Sequence, residues 1–495
     1  MLQSSVARLL PLLLAAAATS TGDAPAGDGP VRPGARARHA ASAGAGVDSA
    51  ALAQLVDSVM RAGMADEHIP GAAVLVLDHG RVVLSRGYGF ADLATRRRVD
   101  PRATRWPFAS VTKVVTATAL MQLVERGRVD LHADVNRYLR VARVPPCRRC
   151  GPITPWHLLT HTDALDELPG RQAESRAGLR PLAPFLRTRL VRIGPPGEMT
   201  RYGTYGIALA GVLVEDVSGV PYAEYVRREL FAPLGMRRTT IDLPPGAEGE
   251  VATPYELDGG SPRVARYEWY HTSPTSSLVS TVEDMGRFAA LHLGAAAGGG
   301  RVLGRATVRE MAAQHASVHP QVPGWGYGWQ RSDANGRQVV EHGGDIGGFS
   351  SLVTLLPDAG FAIVVVHHLE GSNLRFTLKQ AVLDRFFPDR RPPARARPGR
   401  RDLRAFAGTY LANNYCRSCP DGAAGAQRFE VVANPDGSLG LWGTTWREVA
   451  PLLFADESGR RRIGFRRDAA GNVVAVSGGA WRVLERAPAA VPRPR

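Results

Sequence analysis

Ser110 and Lys113 stand three residues apart in Phe108-Ala109-Ser110-Val111-Thr112-Lys113, a spacing that puts a hydroxyl and an amine on one face of a helix. Val114, Val115, Ala117, Ala119, Leu120, Met121, Leu123 and Val124 follow at apolar spacing and predict a long helix, with Ser110 at its N-terminus. Peptide dipoles there favour developing negative charge. The pairing stands out because only two of the chain's 61 basic residues, Lys113 and Lys379, are lysines. An arginine stays protonated, whereas a lysine, ordinarily at a pKa of ~10.4, is tuned toward ~7–8 by burial and neighbours and then accepts a proton. The chemistry implied is nucleophilic attack by a serine with a lysine as its base. Lys379, three residues after Phe376, has no such neighbour and is assigned no chemistry.

A Ser/Lys site also needs a second proton carrier and donors for an oxyanion. Arg201-Tyr202-Gly203-Thr204-Tyr205-Gly206 places a tyrosine on a turn before an apolar helix running through Val214. Val339-Val340-Glu341-His342-Gly343-Gly344-Asp345 is a strand that carries a histidine and then loses its side chains, so that a backbone can approach its edge.

Together these three elements resemble the serine β-lactamase and penicillin-binding protein superfamily, in its class C-like branch of esterases, D-peptidases and β-lactamase-related hydrolases. The resemblance spans about 48–387. Ser110 to Lys113 matches the S-x-x-K of that family, Tyr202-Gly203-Thr204 its Y-x-N, and His342-Gly343-Gly344 the H-x-G form of its K-T-G. Ile153 to Thr162, Ser280 to Met285, Gly326-Tyr327-Gly328-Trp329 and Phe406-Ala407-Gly408-Thr409-Tyr410 also look similar. The resemblance implies catalysis by Ser110, Lys113 and Tyr202. It also implies an oxyanion and substrate wall from His342, Gly344, Asp345 and Thr204, with the backbone N–H groups of Ser110 and Asp345 as donors, and no cofactor. An ester, a D-amino-acid peptide or a β-lactam would be attacked through an acyl-enzyme. The alternative is a silent cleft of the same fold that binds peptidoglycan or a protein.

Two positions depart from the pattern. Thr204 replaces the asparagine whose carboxamide holds a substrate amide, and a hydroxyl is shorter and cannot both donate and accept with the same reach. Thr162-Asp163-Ala164 replaces T-S-G. Other chemistries fit less well. His157 and His161 lack the glutamate of a zinc-binding H-E-x-x-H, no G-x-S-x-G is present, and no metal is expected.

The elements that must position these groups form an α/β (α+β) pattern. A helix over 47–65 precedes two strand runs joined at Asp78-His79-Gly80-Arg81. A second pair joined at Pro357-Asp358-Ala359-Gly360 precedes a helix from Leu374 to Phe387. The economical arrangement is one antiparallel sheet holding both hairpins, flanked by the first and last helices, with a helical lobe between. Short strands from Asp402 onward predict a small all-β C-terminal domain whose Trp442, Trp446 and Trp481 could line a groove but read first as core or half-buried strand residues.

The expected organisation is a signal peptide over 1–22, a leader rich in Ala, Gly and Pro over 23–46, a hydrolase domain over 47–388 and a basic Pro-rich linker over 389–401. A β domain over 402–487 and a tail over 488–495 complete it. This predicts a secreted or extracytoplasmic protein acting on a small molecule or peptide, with cell-wall association open and no transmembrane segment. The net charge of +15 is spread among 46 acids without a compact patch, which argues against a nucleic-acid partner. Cys147/Cys150 and Cys416/Cys419 favour disulfides over a four-thiolate zinc site, and a link between the pairs would tie the two domains together.

Overall fold

The computed structural model describes residues 46–296, 299–396 and 402–488; the expected signal peptide, nearly all of the leader and of the tail, and part of the linker lie outside them. Val74-Leu75-Val76-Leu77 and Ile363-Val364-Val365-Val366 are apolar and largely β-branched, the composition of a doubly covered strand. They lie side by side in Gly71–Asp78 and Phe361–His368, with Ala72 opposite His367 and Val76 opposite Ile363. The two hairpins thus merge into one antiparallel sheet of seven strands. Its spatial order is Gln330–Ala334, Arg337–Ile346, Phe349–Leu356, Phe361–His368, Gly71–Asp78, Arg81–Asp92 and Arg97–Arg98.

Alternation along the central strand sorts its side chains between two cores. Ala72, Val74 and Val76 meet Leu52, Val56 and Met60 of the Ser49–Asp66 helix and Leu378 and Val382 of the Leu374–Phe386 helix. Ala73, Leu75 and Leu77 face Met285 and Phe288 of the Val282–His292 helix in the larger core, which continues into the helical lobe. That lobe is threaded by the Thr112–Glu125 helix, buried at every residue from Thr112 to Leu123, with its polar members Thr112, Lys113, Thr116, Thr118 and Gln122 each hydrogen-bonded. Among the described residues no single helix is long and apolar enough to cross a membrane. The bent pair Tyr205–Ser218 and Tyr222–Phe231 passes on length and composition together, with Tyr205 to Val214 buried in this lobe.

The C-terminal strands close into an eight-stranded antiparallel barrel, the last pairing with the first at Leu411 opposite Glu485. Phe406, Tyr410, Trp446, Phe454 and Phe465 fill it. The barrel packs on the hydrolase domain through Ala475 and Val483 against Met199 and Val318.

The cysteines close within each pair, Cys147 to Cys150 and Cys416 to Cys419, so the covalent tie between domains that the sequence left open is not made. Hydrogen bonds make the tie instead. Asp166 accepts from Arg417 N, Ser418 N and Ser418 Oγ, and Thr200 O accepts from Asn413 Nδ2.

Candidate active site

Ser110 follows the short strand Trp106–Ala109 and immediately precedes the buried helix. Ala109 bends the chain there with a positive φ of 48°, uncommon for a non-glycine residue. Ser351 Oγ donates to Phe108 O and fixes the turn against the sheet. Lys113 is 1% exposed, its Nζ lying 3.0 Å from Ser110 Oγ and 3.4 Å from Thr275 O. Burial lowers its pKa to about 7, helped by the charge of Arg171 and opposed by that of Glu167. Near neutral pH the amine is therefore half unprotonated, the state a base requires.

Tyr202 lies just before the Tyr205–Ser218 helix, its ring 4.8 Å below the Lys113 amine. Its hydroxyl is buried without a hydrogen bond of good geometry. Burial drives its pKa far above the ordinary tyrosine value, although the neighbouring Ser110 hydroxyl opposes the shift, so it is a phenol at neutral pH. That state fits a relay rather than the phenolate base.

The helix start is held by Glu167, whose Oε1 accepts from Thr204 N and Tyr205 N. Thr204 itself is buried, and its hydroxyl is engaged by Arg171 Nη1. The Thr204 hydroxyl, expected at the substrate wall, thus has a partner within the protein. The group presented at this position is the Arg171 guanidinium, which also pairs with Glu167 at 3.7 Å and keeps its side chain 39% exposed. Asp163, the other departure from the family pattern, is buried beneath this helix start, where a Cβ at Gly206 would come within 2.0 Å of its Oδ2.

His342, Gly344 and Asp345 share the strand Arg337–Ile346 beside the nucleophile. His342 is fully buried, and its Nδ1 lies 2.7 Å from Gly343 O, an acceptor, so Nδ1 carries the proton and the unpartnered Nε2 is bare. Burial lowers its pKa to about 3, with the Lys113 charge adding to the effect, and the imidazole is neutral. At Gly344 a Cβ would lie 2.3 Å from Phe108 O, so the glycine lets the nucleophile turn pack on this strand. The Asp345 carboxylate is bound by Arg375 at 2.6 and 2.7 Å and by Ser350 at 2.7 Å. Burial alone would raise its pKa, but Arg375 outweighs that and holds it below the ordinary value.

Several residues of the site carry no sequence signal of their own. His161, half of the rejected zinc pair and part of the Ile153 to Thr162 match, turns its ring to Tyr202 at 4.9 Å, while His157 is spent capping a helix at Thr154. Trp325 stacks on Tyr202 at 5.5 Å from the residues just before the Gly326-Tyr327-Gly328-Trp329 match. Trp481, from the barrel, closes the box with its ring centroid 3.9 Å from that of Tyr202. Among the described residues no cluster of His, Cys, Asp and Glu could hold a metal.

A serine and a buried lysine at the head of a lobe helix, a tyrosine ring under the lysine amine and a strand beside them define the serine β-lactamase and penicillin-binding protein fold. The chain belongs to the Beta-lactamase family, which it matches over residues 56–384. It is 30% identical to Penicillin-binding protein 4 of Amycolatopsis lactamdurans, over 70% of this chain and 94% of that one. It is 25% identical to Protein flp of Staphylococcus aureus strain N315 over 64% of this chain, and it spans only 63% of that relative's length. Among solved structures it shares the fold of SurE at a TM-score of 0.63 and 23% identity, over 89% of this chain and 99% of that one.

Proposed function

We propose that this protein is an exported serine hydrolase that acts through an acyl-enzyme on Ser110 and turns over esters faster than amides. The observation that carries the reading is the Lys113 amine, buried 3.0 Å from Ser110 Oγ with its pKa lowered to about 7. Ser110 Oγ attacks the carbonyl carbon as Lys113 takes its proton, and the carbonyl electron pair moves to oxygen, toward the backbone N–H groups of Ser110 and Asp345. Collapse of the tetrahedral adduct expels the alcohol, protonated from Lys113 through the Tyr202 phenol. Water then attacks the acyl-enzyme, giving its proton to the same pair, and Ser110 is released with the acid.

The ester preference rests on Thr204. The carboxamide that would hold a substrate amide is missing, and the hydroxyl in its place is already bound to Arg171. Family membership supports serine hydrolase chemistry, and the N-terminal sequence supports export.

Covalent labelling by a fluorescent fluorophosphonate and a fluorescent penicillin tests the nucleophile. An adduct with the wild type that disappears in Ser110→Ala is expected. No adduct with either probe would overturn the reading and leave the cleft a binding site. Equal turnover of a matched ester and amide would overturn the ester preference.

A further inference from the structure

The barrel is anchored on the segment that carries Tyr202. Arg201, the residue before it, makes a two-pronged pair with Glu485 of the last barrel strand at 2.7 and 3.0 Å, and Thr200 O is held by Asn413. Burial would raise the Glu485 pKa, but the Arg201 and Arg417 guanidinia outweigh it and keep the carboxylate charged. The same docking sets Trp481 5.6 Å from Trp325 and 5.8 Å from His342, while the residue stays 43% exposed.

From Ser110 and Tyr202 a cavity of about 840 Å³ extends along the barrel rim past Trp481, Trp442 and Trp446. That is the size of a site for a drug-sized ligand. Its basic groups are not equivalent. Arg375 is bound to Asp345, Arg460 to Asp389 and Arg461 to Asp456, while Arg331 donates to Ala312 O. Arg462 and Arg482 line the cavity with no acidic partner among the described residues, and Arg482 sits 5.9 Å from the Trp442 ring. An indole-lined wall with two uncompensated guanidinia suits a ligand that is apolar in the middle and anionic at one end.

We propose that the barrel builds the distal half of the substrate site, with Trp481 packing an aryl or alkyl body beside Tyr202 and with Arg462 and Arg482 binding an anionic terminus remote from the scissile carbonyl. This rests on Ser110 being the reactive end of the cavity, and it names the substrate class as esters of amphiphilic, anion-bearing acids.

The test measures binding rather than turnover, so that it stands apart from the nucleophile. In a Ser110→Ala background, tryptophan fluorescence follows titration with the methyl ester of a phenylalkanoic acid and with its para-carboxylated analogue. The carboxylated ester should bind about tenfold more tightly, as one charge-assisted contact gives. Arg462→Ala with Arg482→Ala should abolish the difference, and Trp481→Ala should weaken both ligands. These residues lie on the barrel rim, and circular dichroism checks that the variants fold. Equal binding of the two esters, or a preference that survives loss of both arginines, overturns the subsite. Loss of fluorophosphonate labelling in the wild type would instead overturn the hydrolase reading.

Discussion

Lys379 Nζ donates to both oxygens of Glu341, at 3.1 and 2.9 Å, and Glu341 is the residue before His342 on the strand beside the nucleophile. One lysine of an arginine-dominated chain thus stands in the site and the other braces the strand beside it from the far face of the sheet. Lys113 sits beside Ser110, and Lys379 fastens the Leu374–Phe386 helix to the strand that forms the opposite wall. Ser332 Oγ also donates to this carboxylate, so the charge is compensated from two elements.

Removing one member of this pair should destabilise the fold. The Glu341 and Lys379 side chains are 4% and 13% exposed, and breaking a buried pair from one side costs about 3–5 kcal/mol. Lys379→Met should lower the urea midpoint accordingly, whereas Lys379→Met with Glu341→Leu should recover much of the loss. Unchanged stability in the single variant would show the pair to be dispensable.

The acylation rate should rise with pH about a midpoint near 7 and level off above it, because burial lowers Lys113 to that value and only the neutral amine accepts a proton. Lys113→Arg should reduce acylation by roughly 100- to 10,000-fold, the span of a general base. The unfolded chain binds the extra proton between about 7 and 10.5, so stability relative to Lys113→Met should rise with pH across that window. Stopped-flow acylation and denaturant titrations measure the two effects.

Arg171 and Glu167 should tune that midpoint in opposite directions. The Arg171 charge lowers the Lys113 pKa and the Glu167 charge raises it. Arg171→Ala should therefore move the pH–rate midpoint up and Glu167→Gln should move it down. Shifts of the same sign would separate these groups from the base.

The Arg201–Glu485 clamp should matter to the reaction although it touches no substrate. Glu485→Gln should lower kcat by loosening the segment that carries Tyr202, while leaving the barrel folded by circular dichroism. The Glu485 pKa lies below its ordinary value of 4.5, so the clamp is intact above that pH and is lost as pH falls through the lower folded value. Wild-type kcat with the glutamine variant across pH would show that the barrel does not position the tyrosine.

Local regularities made much of this protein legible in its sequence. Ser110 sits in the turn that leads into the helix carrying Lys113, three residues on, so their proximity is a local matter. The two hairpins and the short strands of the barrel announce themselves by β-branched runs between turn residues, which is why the sheet and the all-β domain were foreseen. At Thr204 the sequence shows that a carboxamide is lost, but not which neighbour the remaining hydroxyl meets. In the fold its hydroxyl turns to Arg171, a residue no spacing connects to it.

What the tertiary structure alone decided is which distant residues meet. Trp481 rests on Tyr202, Lys379 on Glu341 and Glu485 on Arg201 because domain docking and sheet pairing bring them together, and no periodicity in the chain encodes such contacts. The cysteines show the same division. Their identity and spacing allowed a disulfide or a metal and left open a bond between domains, and only the fold shows that each pair closes on itself. The sequence by itself determined a serine with its lysine at the start of a buried helix. The packing around them determined the charge state of that lysine, since desolvation depends on every neighbour the fold assembles.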